Sequence, residues 1–148
     1  MLIKKVLFPT DFSEGALSAL PYALDMVRNC GAQLHLLHVI YDIASASGLY
    51  VPHISFDEMY KEMETNAKKE LEKFGLEGRR DIKDVKCTIL RGIPYEEILE
   101  FAKQQKADLI VLGTHGRKGL DRFLFGSTAE KVVRYASCPV LTVRGEHK

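Results

Sequence analysis

The residues with the most chemistry in them lie between Gly113 and Lys131, in the segment GTHGRKGLDRFLFGSTAEK. Its frame is Gly113-x-x-Gly116, nine residues, then Gly126-Ser127. Glycine lets the backbone come close to a ligand and reach positive φ. Successive N–H groups of such a backbone form a concave anion site. Gly126, Ser127 and Thr128 fall where a helix should open, and the N–H groups and dipole of a helix start favour phosphate. Arg117 and Lys118 add positive charge nearby. The spacing is neither the G-x-x-x-x-G-K-[S/T] phosphate loop nor the G-x-G-x-x-G dinucleotide turn. A simpler reading stands beside this one. Ser127 and Glu130 have the spacing of a capping box that needs no ligand, and in that reading Gly113 simply ends a strand.

The second group is Pro9-Thr10-Asp11, directly after the first apolar run. Asp11 sits just before a helix. There it either meets a ligand at the end of the sheet or merely favours the helix dipole. Most other candidates read as structure. His35 and His38, three apart in a strand, point to opposite faces and make poor joint metal ligands. Met59, Tyr60, Met63 and Phe74 form a helical stripe of core type. Cys30, Cys87 and Cys138 are an odd number without C-x-x-C spacing, and are read as reduced, buried thiols. No catalytic triad and no metal set is legible.

These residues need a scaffold, and the pattern supplies one. The 148 residues suit a single domain, 1–148, able to bury roughly 70% of its unfolded surface. Strands are expected at Ile3–Phe8, Gln33–Ile40, Val85–Leu90, Asp108–Leu112 and Pro139–Val143. Between them fall helices. The first is capped by Ser13 and stopped by Gly31. A second runs from Phe56 to Gly75 or Gly78, a third begins at Pro94, and the last begins near Ser127. Tyr41–Ser55 and Gly113–Gly126 read as loops. The alternation predicts a parallel sheet covered by helices; with strands two and three wound to one side of the first and strands four and five to the other, it is an open five-stranded, Rossmann-like α/β sheet of order 3-2-1-4-5, with helices on both faces. Winding reverses between the first and fourth strands. Ligands of such sheets bind at that reversal, beyond the carboxyl ends of the strands, and both motifs end up there.

Net charge is +1, which gives no field to recruit nucleic acid or an anionic membrane. No apolar run approaches a membrane span. The start MLIKKVLF lacks a signal-peptide core, so the chain is read as cytoplasmic.

Four features together resemble the universal stress protein family: the start KKVLFPTDFSEGA, the strand LHLLHVI, the glycine loop and the end SCPVLTVR. The loop matches that family's ATP-binding pattern at Gly113, Gly116, Gly126 and Ser127. The resemblance spans the chain apart from Tyr41–Ser55 and Glu77–Asp84. It implies ATP, or AMP or ADP, as ligand, with Mg²⁺ or Mn²⁺ on the phosphates. Asp11 would bond the ribose or adenine edge, with Pro9 and Thr10 shaping the wall. The backbone of Val39 would meet adenine. Gly113, Gly116, Gly126, Ser127 and Thr128 would hold phosphate. His115 would touch phosphate or remain a solvated loop residue. The family also implies a homodimer through Val140–Val143, whose apolar edge gains from pairing, and a regulatory role in stress response. Two other readings compete: a slow ATPase or nucleotidyl-transfer enzyme, and an interaction module without nucleotide. The S-G-G-x-D-S loop of ATP pyrophosphatases and the H-x-G-H signature of class I synthetases are absent.

Overall fold

The computed structural model describes residues 1–42, 56–78, 81–114 and 126–145, with the helix backbone alone at 75–78. In chain order the elements are β1 (Lys5–Pro9), α1 (Glu14–Cys30), β2 (Gln33–Tyr41), α2 (Asp57–Gly78), β3 (Val85–Gly92), α3 (Pro94–Gln104), β4 (Leu109–Gly113), α4 (Ser127–Tyr135) and β5 (Val140–Val143). The five strands form one parallel sheet in the order β3-β2-β1-β4-β5, as the sequence predicts.

Alternate residues of each central strand serve two cores, because successive side chains leave a strand on opposite faces. Val6, Phe8, Leu34, Leu36, Leu109 and Val111 pack under α1 and α2. Leu7, Leu37, Ile110 and Leu112 pack under α3 and α4. This two-sided burial is why β1, β2 and β4 read as continuous apolar runs rather than alternating ones. Edge strand β3 has no fully buried residue, and its burial does not follow the expected alternation: Cys87 is exposed and Thr88 half-buried.

Local signals set the helix ends. Ser13 Oγ accepts the Ala16 N–H at 3.2 Å, the expected N-cap. Gly31 closes α1 at φ 63°, a left-handed stop that suits glycine. Ala16, Leu20, Ala23 and Val27 are buried as expected, joined by Ala19. Asp108, expected to open the fourth strand, instead accepts the N–H groups of Lys4 and Lys5 through Oδ2 at 2.9 and 3.0 Å, tying down the start of β1.

Several expectations need correction. Val133 is 45% exposed, while Ala129 and Val132 are buried and Ala136, just beyond α4, packs half-buried against the same core. Met59 is exposed and Met63 half-buried, so the α2 stripe is carried by Tyr60, Ala67, Leu71 and Phe74. The thiols are not buried. Cys30 ends α1 and Cys87 lies on the edge strand, both exposed, while Cys138 is half-buried. None is in a disulfide. Burial still pushes the Cys138 thiol above its usual pKa. Among the described residues, no helix is long and apolar enough to cross a membrane.

Candidate functional site

β1, β4 and β5 deliver their carboxyl ends to one edge of the sheet. β1 pairs with β2 on one side and β4 on the other, so the winding reverses at β1. The Thr10 N–H extends β1 by one bond, donating to Leu37 O of β2 at 2.8 Å. Beyond it the chain turns tightly into α1. Phe12 N–H donates to Thr10 Oγ1 at 3.0 Å, and Ser13 N–H donates to Asp11 Oδ1 at 3.0 Å. These two N–H groups are thus each held by a side chain two residues earlier. Phe12 has φ 65°, a left-handed conformation uncommon for an aromatic residue. Its ring stacks on His38 with centroids 4.5 Å apart and on Phe74 of α2 at 5.6 Å.

β4 ends at Gly113. A Cβ there would collide with the backbone carbonyl of Gly15 and lie 3.1 Å from Ala16 N. Glycine is therefore required at this position by the contact between β4 and the first turn of α1, whatever a ligand asks of it. Thr114 is buried. Its N–H donates to Val143 O of β5 at 3.0 Å, and its carbonyl accepts the Gly126 N–H at 2.6 Å. Those two bonds seat the start of α4 on the ends of β4 and β5.

The expected capping box at α4 does not form. The N-cap is Gly126, not Ser127, with no side-chain cap bond, and Glu130 pairs instead with Arg134 at 3.0 Å. A residue must stand outside the helix to cap it with its hydroxyl, and Ser127 is already its first residue. The first bond of the α4 ladder runs from Glu130 N–H to Gly126 O at 3.0 Å. The N–H groups of Ser127, Thr128 and Ala129 precede that ladder and point out of the helix start.

Of the residues singled out in the sequence, Pro9, Thr10 and Asp11 lie at the end of β1, Val39 near the end of β2 and Gly113 at the end of β4. Gly126, Ser127 and Thr128 open α4. His115 and Gly116 lie outside the described residues. Sequence reasoning gave no site role to Phe12 or Thr114, and weighed His38 only as a poor metal ligand. It also missed a cluster at the ends of β2 and β3. There the Tyr60 hydroxyl donates to Asp42 Oδ1 at 3.0 Å, while the Arg91 guanidinium lies 4.4 Å over the Tyr60 ring and 3.7 Å from Asp42 Oδ2. Among the described residues, no group of three or more His, Cys, Asp or Glu side chains converges as a metal site.

Comparison with known proteins gives this arrangement a family. The model of the universal stress protein family matches residues 2–144. A universal stress protein of Methanocaldococcus jannaschii is 38% identical over 149 residues, covering 99% of this chain and 85% of that protein. The solved structure of a second protein from that organism superposes with a TM-score of 0.87 at 33% identity, covering 100% of both chains. Universal stress protein UspA from Lactobacillus plantarum gives 0.85 at 29%, covering 97% of this chain and 99% of that one. The same fold recurs at lower identity in an Arabidopsis thaliana family protein with AMP bound, TM-score 0.69 and 22% identity. It recurs also in an Archaeoglobus fulgidus universal stress protein in complex with dAMP, TM-score 0.64 and 20% identity. This chain belongs to the universal stress protein family.

Proposed function

We propose that the chain binds an adenine nucleotide, ATP first among them, across the carboxyl ends of β1 and β4. We propose further that nucleotide occupancy sets the form in which stress-response partners read it. One observation carries this reading. The Thr10–Asp11 turn and the glycine-opened start of α4 stand on either side of the winding reversal, one suited to a nucleoside and the other to its phosphates. The bound nucleotides of family members with this fold support it.

In this reading Asp11 bonds the ribose or adenine edge, Pro9 and Thr10 form the wall, and the Val39 backbone meets adenine. Gly113, Gly126, Ser127 and Thr128 line the phosphates, with Gly116 and His115 of the loop between them. A Mg²⁺ or Mn²⁺ ion belongs to the phosphates it travels with, with few direct protein ligands. β5 is the last strand of the sheet, and we assign it as the dimer edge, its Val140–Val143 backbone pairing with a second copy.

The test is direct. Protein purified without added nucleotide is denatured and the released small molecules are identified by mass spectrometry. The reading expects an adenine nucleotide in near-stoichiometric amount. Empty protein that also ignores added ATP, ADP and AMP would overturn it.

A further inference from the structure

The turn that faces the proposed nucleoside is held from beneath by a histidine to which the sequence assigned no part in the site. His38 lies on β2 and is 8% exposed. Its Nδ1 is 2.8 Å from the Thr10 carbonyl oxygen. A carbonyl has no proton to give, so Nδ1 carries the hydrogen and donates it. The same ring stacks against Phe12, the residue held at φ 65° immediately after Asp11. Phe12 in turn stacks on Phe74 at an interplanar angle of 10°. One buried side chain therefore grips the turn at both ends, by a hydrogen bond to Thr10 and a ring contact to Phe12. Asp11 lies between those two points. Residues kept in sparsely populated backbone regions persist where the surroundings over-determine them, and such places cluster at binding sites.

We infer that His38 is a positioning residue for the nucleoside end of the site: its Nδ1–H fixes the Thr10 carbonyl, and with it the direction in which Asp11 leaves the turn. The inference rests on the proposed nucleotide site and adds how that site recognises the nucleoside rather than the phosphates. The phosphate end is built from β4, β5 and α4 through Thr114 and Gly126, whereas the described contacts of His38 go to Thr10 and Phe12. Loss of His38 therefore weakens a ligand that carries a nucleoside and spares one that does not.

The full chain is titrated by calorimetry with ATP, and with inorganic tripolyphosphate read by its displacement of ATP. Two variants separate the two contacts. His38→Phe keeps a ring against Phe12 and deletes the donor. His38→Asn sets an amide N–H near the place of Nδ1 and deletes the ring. His38→Phe is expected to bind ATP about tenfold more weakly, the loss of roughly one hydrogen bond. Its tripolyphosphate affinity stays at the wild-type level, and His38→Asn recovers most of the ATP affinity. Three results would overturn the inference: unchanged ATP binding by His38→Phe, an equal loss for both probes, or no recovery in His38→Asn. Should His38→Phe fail to fold, the wild-type protein decides by nitrogen NMR of the His38 ring. ATP shifts the Nδ1 resonance and tripolyphosphate does not; no shift with ATP sinks the inference. A wild-type chain that binds neither probe refutes the nucleotide site itself, and is thereby told apart from a failure of His38 alone.

Discussion

At Gly113 the backbone of β4 passes so close to Gly15 that a single methyl group has no room. Overpacking of this kind typically costs about 1–3 kcal/mol. Gly113→Ala is therefore expected to lower the unfolding free energy by about that amount in nucleotide-free protein, measured by urea denaturation. A purely ligand-contacting glycine would leave that value alone. His35 offers a second residue-scale prediction. It is buried on the α3 face, with Nε2 2.7 Å from Thr88 Oγ1 and its ring edge-on to Phe101 at 4.7 Å. Burial, then the charges of Lys86 and Lys5, hold its pKa below 6.5, with Asp84 opposing. The unfolded chain thus takes up the proton first as pH falls. The neutral ring's contribution is complete above pH 6.5 and is lost as pH drops from there toward the folded-state value. Thermal melts between about pH 7 and pH 5 should show falling stability, and His35→Asn should flatten part of that slope. Neither residue declared its role in the sequence. Gly113 matched a phosphate motif, and only the distance to Gly15 reveals its second duty. The neighbours that perturb His35 come from β1, β3 and α3.

At the scale of elements, the helices whose signals are local were readable. α1 carries its start in Ser13 and its stop in Gly31, and both lie where the spacing put them. Ser13→Ala removes the acceptor for the Ala16 N–H and should destabilise the chain by about 1 kcal/mol, read by the shift in denaturation midpoint. α4 was harder because two capping signals stood side by side. Gly126 and Ser127 are adjacent, and the structure uses the glycine, so Ser127 enters the helix and Glu130 turns to Arg134. Periodicity also overstated burial in α4 and α2. A stripe of apolar residues says which side faces inward, but not how wide the covering surface is, and Val133 and Met59 fall outside it. The cysteines were misjudged for a related reason. Cys is commonly buried, yet Cys87 lies on a strand that has a neighbour on one side only.

At the scale of the molecule, the strand order was legible because short apolar runs alternating with amphipathic helices admit few topologies. The order in turn put Asp11 and the start of α4 on the two sides of the winding reversal. What no pattern could supply was the packing between distant parts of the chain. Phe12, His38 and Phe74 come from three separate stretches of the chain, as do Asp42, Tyr60 and Arg91, and each set meets only after the sheet has formed. A ligand held by the folded state alone must also stabilise it. ATP at about one hundred times its dissociation constant should raise the unfolding free energy by about 2.7 kcal/mol, seen as a concentration-dependent melting temperature. The most direct test of the central claim is a calorimetric titration of the nucleotide-stripped chain with ATP. A single saturable site is expected, weakened by Asp11→Ala while the protein stays folded. Absence of binding to ATP, ADP and AMP alike would contradict that claim.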